Sequence, residues 1–199
     1  MMLIEETTVP DGALPVEDLK AHLRLGTSFG TDTVQDGVLS GFLRAAMAAI
    51  EARSGKVLLR RDFSLSLSFW RDRAGQSLPV APVVAVADLT LVDRSGAETQ
   101  IAPAAYWLER DVQRPRLRPT GSCLPAIPSG GSVQIAFEAG YAAAWTNLPS
   151  DLKQAVLMLA AHYYEYRNDT GLSEGCMPFG VSSLIERYKV VRMGFGAVR

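Results

Sequence analysis

The sequence predicts an α+β fold: a helical bundle formed by the N- and C-terminal helices, with an inserted antiparallel β lobe. Two changes of apolar spacing predict it. Apolar residues recur every three to four positions near both ends of the chain, and every second position in the middle. Each terminal helix has one apolar stripe, and such stripes are buried most readily against each other. The expected division is a helical domain over 1–56 and 145–190, an inserted β lobe over 57–144 and a C-terminal docking tail over 191–199.

The first helix is expected from Pro15 to Leu25. Proline suits a first helical turn, where its missing N–H costs nothing, and Val16, Leu19 and Leu23 share one face. Gly26 to Gly30 break the pattern. Asp32 is placed to cap a second helix, with Gln35 three residues on as the capping-box partner. Leu39, Phe42, Leu43, Ala46 and Ile50 form its stripe, and Gly55 is its terminator.

The period then becomes two. Phe63, Leu65, Leu67 and Phe69 alternate with serines, which predicts a strand with one wet face. Val84 to Val92 reads as a second strand, and Asp93-Arg94-Ser95-Gly96 as a turn into a third. Tyr106 to Glu109 and Ser132 to Phe137 are further strands. The Pro- and Gly-rich stretch from Arg114 to Gly131 is expected to be an extended loop. After Pro149 a helix returns, with Asp151 in its first turn and a stripe of Leu152, Ala155, Val156, Leu159, Tyr163 and Tyr166. It should fade near Asn168 to Gly171. A last short helix is expected from Val181 to Tyr188.

Composition narrows the function. The chain has 199 residues, 48% of them hydrophobic and 21% charged, as in an ordinary globular protein. A formal net charge of −1 argues against affinity for DNA spread over the whole surface, since phosphate contacts demand a basic protein. Two separated cysteines, Cys123 and Cys176, make neither a disulfide framework nor a metal knuckle, and a reducing compartment is expected. The acidic start of the chain is not a secretory signal, and no stretch is apolar enough to span a bilayer, so no membrane partner is expected.

Catalytic patterns fail one by one. Ser54-Gly55-Lys56-Val57 resembles the end of a phosphate-binding loop, but Val57 stands where a hydroxyl residue is needed and Ile50 where the first glycine is needed. Gly180-Val181-Ser182-Ser183-Leu184 lacks the closing glycine of a nucleophile elbow. His22 and His162 have no second ligand at metal spacing on their own helices. No enzyme activity, cofactor or metal is expected.

What remains suits interfaces. His162-Tyr163-Tyr164-Glu165-Tyr166-Arg167 fits both a core boundary and a protein contact, because Tyr buries its ring while its hydroxyl stays wet. From Arg187 to Arg199 the chain has four basic residues, no acid and several large apolar side chains. Arg187, Tyr188, Val191, Arg192, Met193 and Phe195 are therefore the candidate docking residues. Arg114, Arg116 and Arg118 are candidates for a subunit or DNA contact. The alternative function is a nucleic-acid-binding module using the Arg110–Arg118 loop.

Several segments together carry a family resemblance. They are Leu19-Lys20-Ala21-His22-Leu23-Arg24, Ala45-Ala46 through Ile50-Glu51-Ala52-Arg53-Ser54-Gly55-Lys56-Val57-Leu58, and Ala139-Gly140-Tyr141 followed by Leu148-Pro149-Ser150-Asp151-Leu152-Lys153-Gln154-Ala155. His162 to Arg167 and Pro178-Phe179-Gly180-Val181 complete the series. In order and spacing the chain resembles the head–tail connector (adaptor) proteins of long-tailed bacteriophages, especially the version found in gene transfer agents. The resemblance runs from about Pro15 to Tyr188 and has no residue-level motif in the tail. It implies a non-enzymatic protein, assembled in the bacterial cytoplasm and located in the neck of a virion or phage-like particle. Such a protein forms a homo-oligomeric ring, typically of twelve subunits, below the portal. It joins the portal protein to a stopper or other neck or tail protein, and DNA passes through the lumen without sequence-specific binding.

Overall fold

The computed structural model describes residues 1–25, 35–167 and 177–189. Four α-helices lie among them: α1 (Val16–His22), α2 (Asp36–Ser54), α3 (Ser150–Glu165) and α4 (Phe179–Ile185). Eight strands form two antiparallel sheets. The strands are β1 (Met2–Glu5), β2 (Arg61–Leu67), β3 (Gln76–Ser77), β4 (Val83–Val92), β5 (Glu98–Gln100), β6 (Tyr106–Glu109), β7 (Arg116–Pro119) and β8 (Ser132–Ala139). One sheet has the order β1-β2-β8-β4-β5 and the other β3-β7-β6. The class is α+β, as the sequence predicts.

Two apolar clusters follow from the two periodicities. Leu19 of α1, Leu39, Leu43 and Ile50 of α2, Leu152, Val156 and Leu159 of α3, and Val181 and Ile185 of α4 belong to one cluster. The second joins the sheets through Phe63 and Leu65 of β2, Leu89 of β4, Tyr106 of β6, Leu117 of β7 and Phe137 of β8. Phe63 and Phe137 face each other across β2 and β8 and stack with centroids 5.7 Å apart.

The helix boundaries have local causes. α1 stops at His22, short of Leu25, because Arg24 adopts a left-handed φ of 55°. The expected cap Asp32 lies outside the described residues, as does the expected fade over Asn168–Gly171; α2 opens after Gln35, and α3 ends at Glu165. Gly55 ends α2 at φ 68°, its N–H donating to the Glu51 carbonyl. The last helix begins two residues before Val181 and finishes as a 3-10 turn over Glu186–Tyr188.

Three parts of the β reading need correction. The stretch from Arg114 to Gly131 is not all loop: Arg116–Pro119 is β7, the middle strand of its sheet. Its prolines mislead because Pro115 precedes the strand and Pro119 is its last residue, where a missing N–H costs little. The strand around Phe63 ends at Leu67, leaving Phe69 exposed. The chain turns there because Trp70 is buried, with its indole N–H donating to the Pro125 carbonyl at 2.7 Å. Finally, Met2–Glu5 forms β1 although no strand is expected before the first helix. Its four residues are all exposed, so no alternation marks it; pairing with β2 creates it.

Side chains tie helices to sheets. The Lys56 side chain is almost fully buried, and its ammonium donates to the Val112 carbonyl at 2.8 Å. Burial pushes its pKa down, with the Asp111 carboxylate pulling the other way. Arg61 of β2 sits between Glu51 of α2 (2.6 Å) and Glu5 of β1 (2.8 Å). Burial pushes the Glu51 carboxyl above its ordinary range, against the opposing pull of Arg61.

Candidate assembly surfaces

The last described turn is fastened to the start of α3. Pro149 precedes this helix and leaves Asp151 in its first turn. One Asp151 oxygen accepts from the Tyr188 hydroxyl at 2.7 Å and from the Leu152 N–H at 2.9 Å. The other faces the Arg187 guanidinium at 3.3 Å. Tyr188 is only 5% exposed and meets the Tyr141 ring edge-on at 5.6 Å. Burial, then the bond and charge of Asp151, push the Tyr188 phenol well above its ordinary pKa, while Arg187 pulls it down. Arg187 lies over the Tyr188 ring with its side chain 73% exposed.

The six candidate docking residues thus divide. Tyr188 is a fixed part of the fold and Arg187 is presented at the surface. Val191, Arg192, Met193 and Phe195 lie outside the described residues. The partner that sequence reasoning misses is Asp151, which is brought to Tyr188 only by the packing of α4 on α3.

The arginine stretch is internally paired at two of its three candidates. Arg118 donates to Glu109 on β6 at 2.6 Å and to the Ala74 carbonyl at 3.2 Å. Arg116 faces Asp72 at 3.4 Å. Arg114 is exposed, with its backbone N–H donating to the Asp111 carboxylate at 3.0 Å. The strand geometry explains the pairing: Leu117 points into the core, so Arg116 and Arg118 share the outer face with β6 and the 72–74 turn. These carboxylates offset charge that phosphates would otherwise meet.

The aromatic segment is used within the helical part. Arg167 lies over the Tyr164 ring at 4.6 Å, Tyr164 meets Phe42 of α2 edge-on, and His162 packs on Tyr166 at 4.7 Å. His22 occupies the last turn of α1, and Ser182 and Ser183 lie within α4. Among the described residues no group of three His, Cys, Asp or Glu could hold a metal ion. None of their helices is long and apolar enough to cross a membrane. A cleft of about 220 Å³ between β1 and α2 is lined by Glu5, Arg44, Glu51 and Arg61, whose charges are already paired in the fold.

Several exposed apolar residues lie on sheet edges. Met2, Leu3 and Ile4 occupy β1, an outer strand of the larger sheet, and Trp107 occupies β6, an outer strand of the smaller one. Exposed apolar edges suit protein contacts, and the charged groups gathered in the cleft are already paired with one another or with Asp11.

Solved structures decide the family. A chain in the neck of an empty GTA particle, computed with C6 symmetry, is 51% identical with a TM-score of 0.90; the match covers 98% of this chain and 99% of that one. The chain belongs to the gene transfer agent neck proteins. A chain from the virion of a native gene transfer agent particle is 50% identical over the same shares, with a TM-score of 0.87. One from the neck of a native particle, computed with C12 symmetry, is 48% identical over the same shares, with a TM-score of 0.85. No family model and no curated protein matches this sequence. As a gene transfer agent neck protein it has a structural, connecting role in a virion-like particle, which agrees with the family resemblance of its sequence.

Proposed function

We propose that this neck protein is the adaptor: a ring of about twelve copies below the portal that joins the capsid to the next neck or tail component and lets DNA through. The observation that carries this reading is the near-complete, half-identical match to a chain in a GTA particle neck. The C6 and C12 symmetries of the matched necks favour a ring of copies. The chain's near-neutral charge suits a conduit, since a wall that gripped phosphates would stall the passing DNA.

In this reading the helical part (1–56 and 145–190) and the β lobe (57–144, with β1 added to its sheet) form the body of the ring. The tail over 191–199 docks on the portal protein. Val191, Met193 and Phe195 are the apolar anchors, and Arg187 and Arg192 meet acidic rims. Tyr188, locked to Asp151, fixes where the tail leaves the body. Arg114 remains the arginine best placed for a subunit or DNA contact.

Electron microscopy of particles from a strain lacking the gene tests the function. DNA-filled or leaking heads separated from finished tails are the expected result. Normally joined particles would overturn the adaptor reading.

A further inference from the structure

Resting on the ring reading above, we infer that neighbouring copies join by strand addition, with the outer edge of β1 in one copy pairing with the outer edge of β6 in the next. Both strands end their sheets, and no described strand lies beyond either. An open edge offers unpaired N–H and C=O groups to another strand.

β1 is a lightly guarded edge: its one charged residue, Glu5, is paired with Arg61 of β2. Protein sheets usually protect such strands with lysine, proline or a bulge. Residues 1–6 contain no Lys and no Pro, and β1 pairs with β2 in unbroken register. Met2, Leu3 and Ile4 are 55%, 36% and 41% exposed. Three consecutive exposed apolar side chains on a free edge leave an apolar surface on both faces of the sheet.

β6 matches it. It has four residues, as β1 does, and its Trp107 is 50% exposed. An indole laid over Met2 or Ile4 buries apolar area and allows a sulfur–aromatic contact. Of the two other outer strands, β3 has only two residues, and β5 is a poorer partner. It presents Glu98, Thr99 and Gln100, and Gln100 is already bonded to Asp88.

The placement also suits a ring. A cyclic assembly needs two unlike surfaces on each copy, facing opposite neighbours. The short link over 101–105 keeps β6 close to β5, whereas β1 ends the same sheet beyond β2 and β8. Three strands, β2, β8 and β4, lie between β1 and β5, so four spacings of about 4.8 Å separate the two sides. A β1–β6 contact is therefore head-to-tail and repeats around an axis.

Disulfide trapping in assembled particles tests this. The background carries Cys123→Ser and Cys176→Ser. Trp107→Cys is combined in turn with Met2→Cys, Leu3→Cys, Ile4→Cys and Glu5→Cys, which covers every position of β1 that can stand opposite Trp107, including both full overlaps, antiparallel (Ile4) and parallel (Leu3). Mild oxidation should convert at least one double variant into a ladder of dimers and higher multiples on a non-reducing gel, with none from the single variants. Unchanged melting of the purified variants establishes that each folds. Averaged images of the same necks separate the two failures. A ring of this chain without any cysteine ladder overturns the β1–β6 contact and leaves the ring standing. Necks without such a ring overturn both.

Discussion

Tyr188 is where sequence chemistry and folded chemistry part most clearly. As sequence it is an aromatic residue at the head of a basic, apolar tail, which suits a partner's groove. In the fold its hydroxyl is committed to Asp151 and its ring to Tyr141. Replacing it with Phe keeps the ring and removes a hydrogen bond to a charged acceptor, so unfolding should cost about 1.5–3 kcal/mol less. Tyr188→Ala also opens a cavity and should cost about 3–5 kcal/mol. Denaturant midpoints with unchanged m-values would check both. The pH dependence has a definite sign. Because the folded-state phenol pKa lies above the unfolded value of about 10, its stabilising contribution is complete below that pH. It is lost as pH rises through the folded value. Tyr106 and Tyr141 are raised in the same direction, chiefly by burial. Stability should therefore fall above pH 10, and less steeply in Tyr188→Phe. Equal slopes in the two proteins would refute the assignment to Tyr188.

Element boundaries make a sharper contrast between two glycines. Gly55 and Gly140 both have φ in the range that disfavours a side chain, at 68° and 147°. A Cβ at Gly55 would meet nothing within 4 Å, so Gly55→Ala should cost only the left-handed backbone term, about 1 kcal/mol. At Gly140 it would lie 2.5 Å from the Arg60 N–H nitrogen, on backbone that cannot swing aside. Gly140→Ala should destabilise by about 3 kcal/mol or more, by separating the start of β2 from the end of β8. Thermal melts of the two variants would rank them. Gly55 was legible in the sequence because it follows a complete helical stripe, and α2 and α3 were legible for the same reason. β1 and β7 were not. β1 has no buried face to produce alternation, and β7 lies between prolines that read as loop. The ion pairs of Arg116 and Arg118 were hidden with it. Once Glu109 and Arg118 are placed on adjacent strands their pairing is expected; without the hairpin they are separate charges in a list. The Tyr188–Asp151 bond had no local signal, because it depends on where α4 settles against α3.

At the scale of the whole molecule, folding and assembly should separate at Lys189. Among the described residues the last members of the helical apolar core are Ile185 and Tyr188, and Lys189 pairs with Glu186 within the same turn. A chain ending at Lys189 retains these contacts and the Asp151 anchor, so its unfolding free energy should stay within about 0.5 kcal/mol of the full chain. Ending before Tyr188 would confuse the two effects, because the anchor would be lost with the tail. The shortened chain lacks Val191, Met193 and Phe195, each worth roughly 1.5–3 kcal/mol if fully buried in a partner, before ordering costs. It also lacks Arg192, whose proposed contact with an acidic rim should weaken with salt. Repetition around a ring compounds the loss, since many modest contacts hold far more firmly than any one. The shortened protein should fold normally yet fail to join heads to tails, and complementation of a deletion strain followed by particle counting would show it. Wild-type numbers of joined particles would overturn the proposed docking by the tail and move the proposed portal contact to the body of the protein, with exposed Arg187 the first residue to test there.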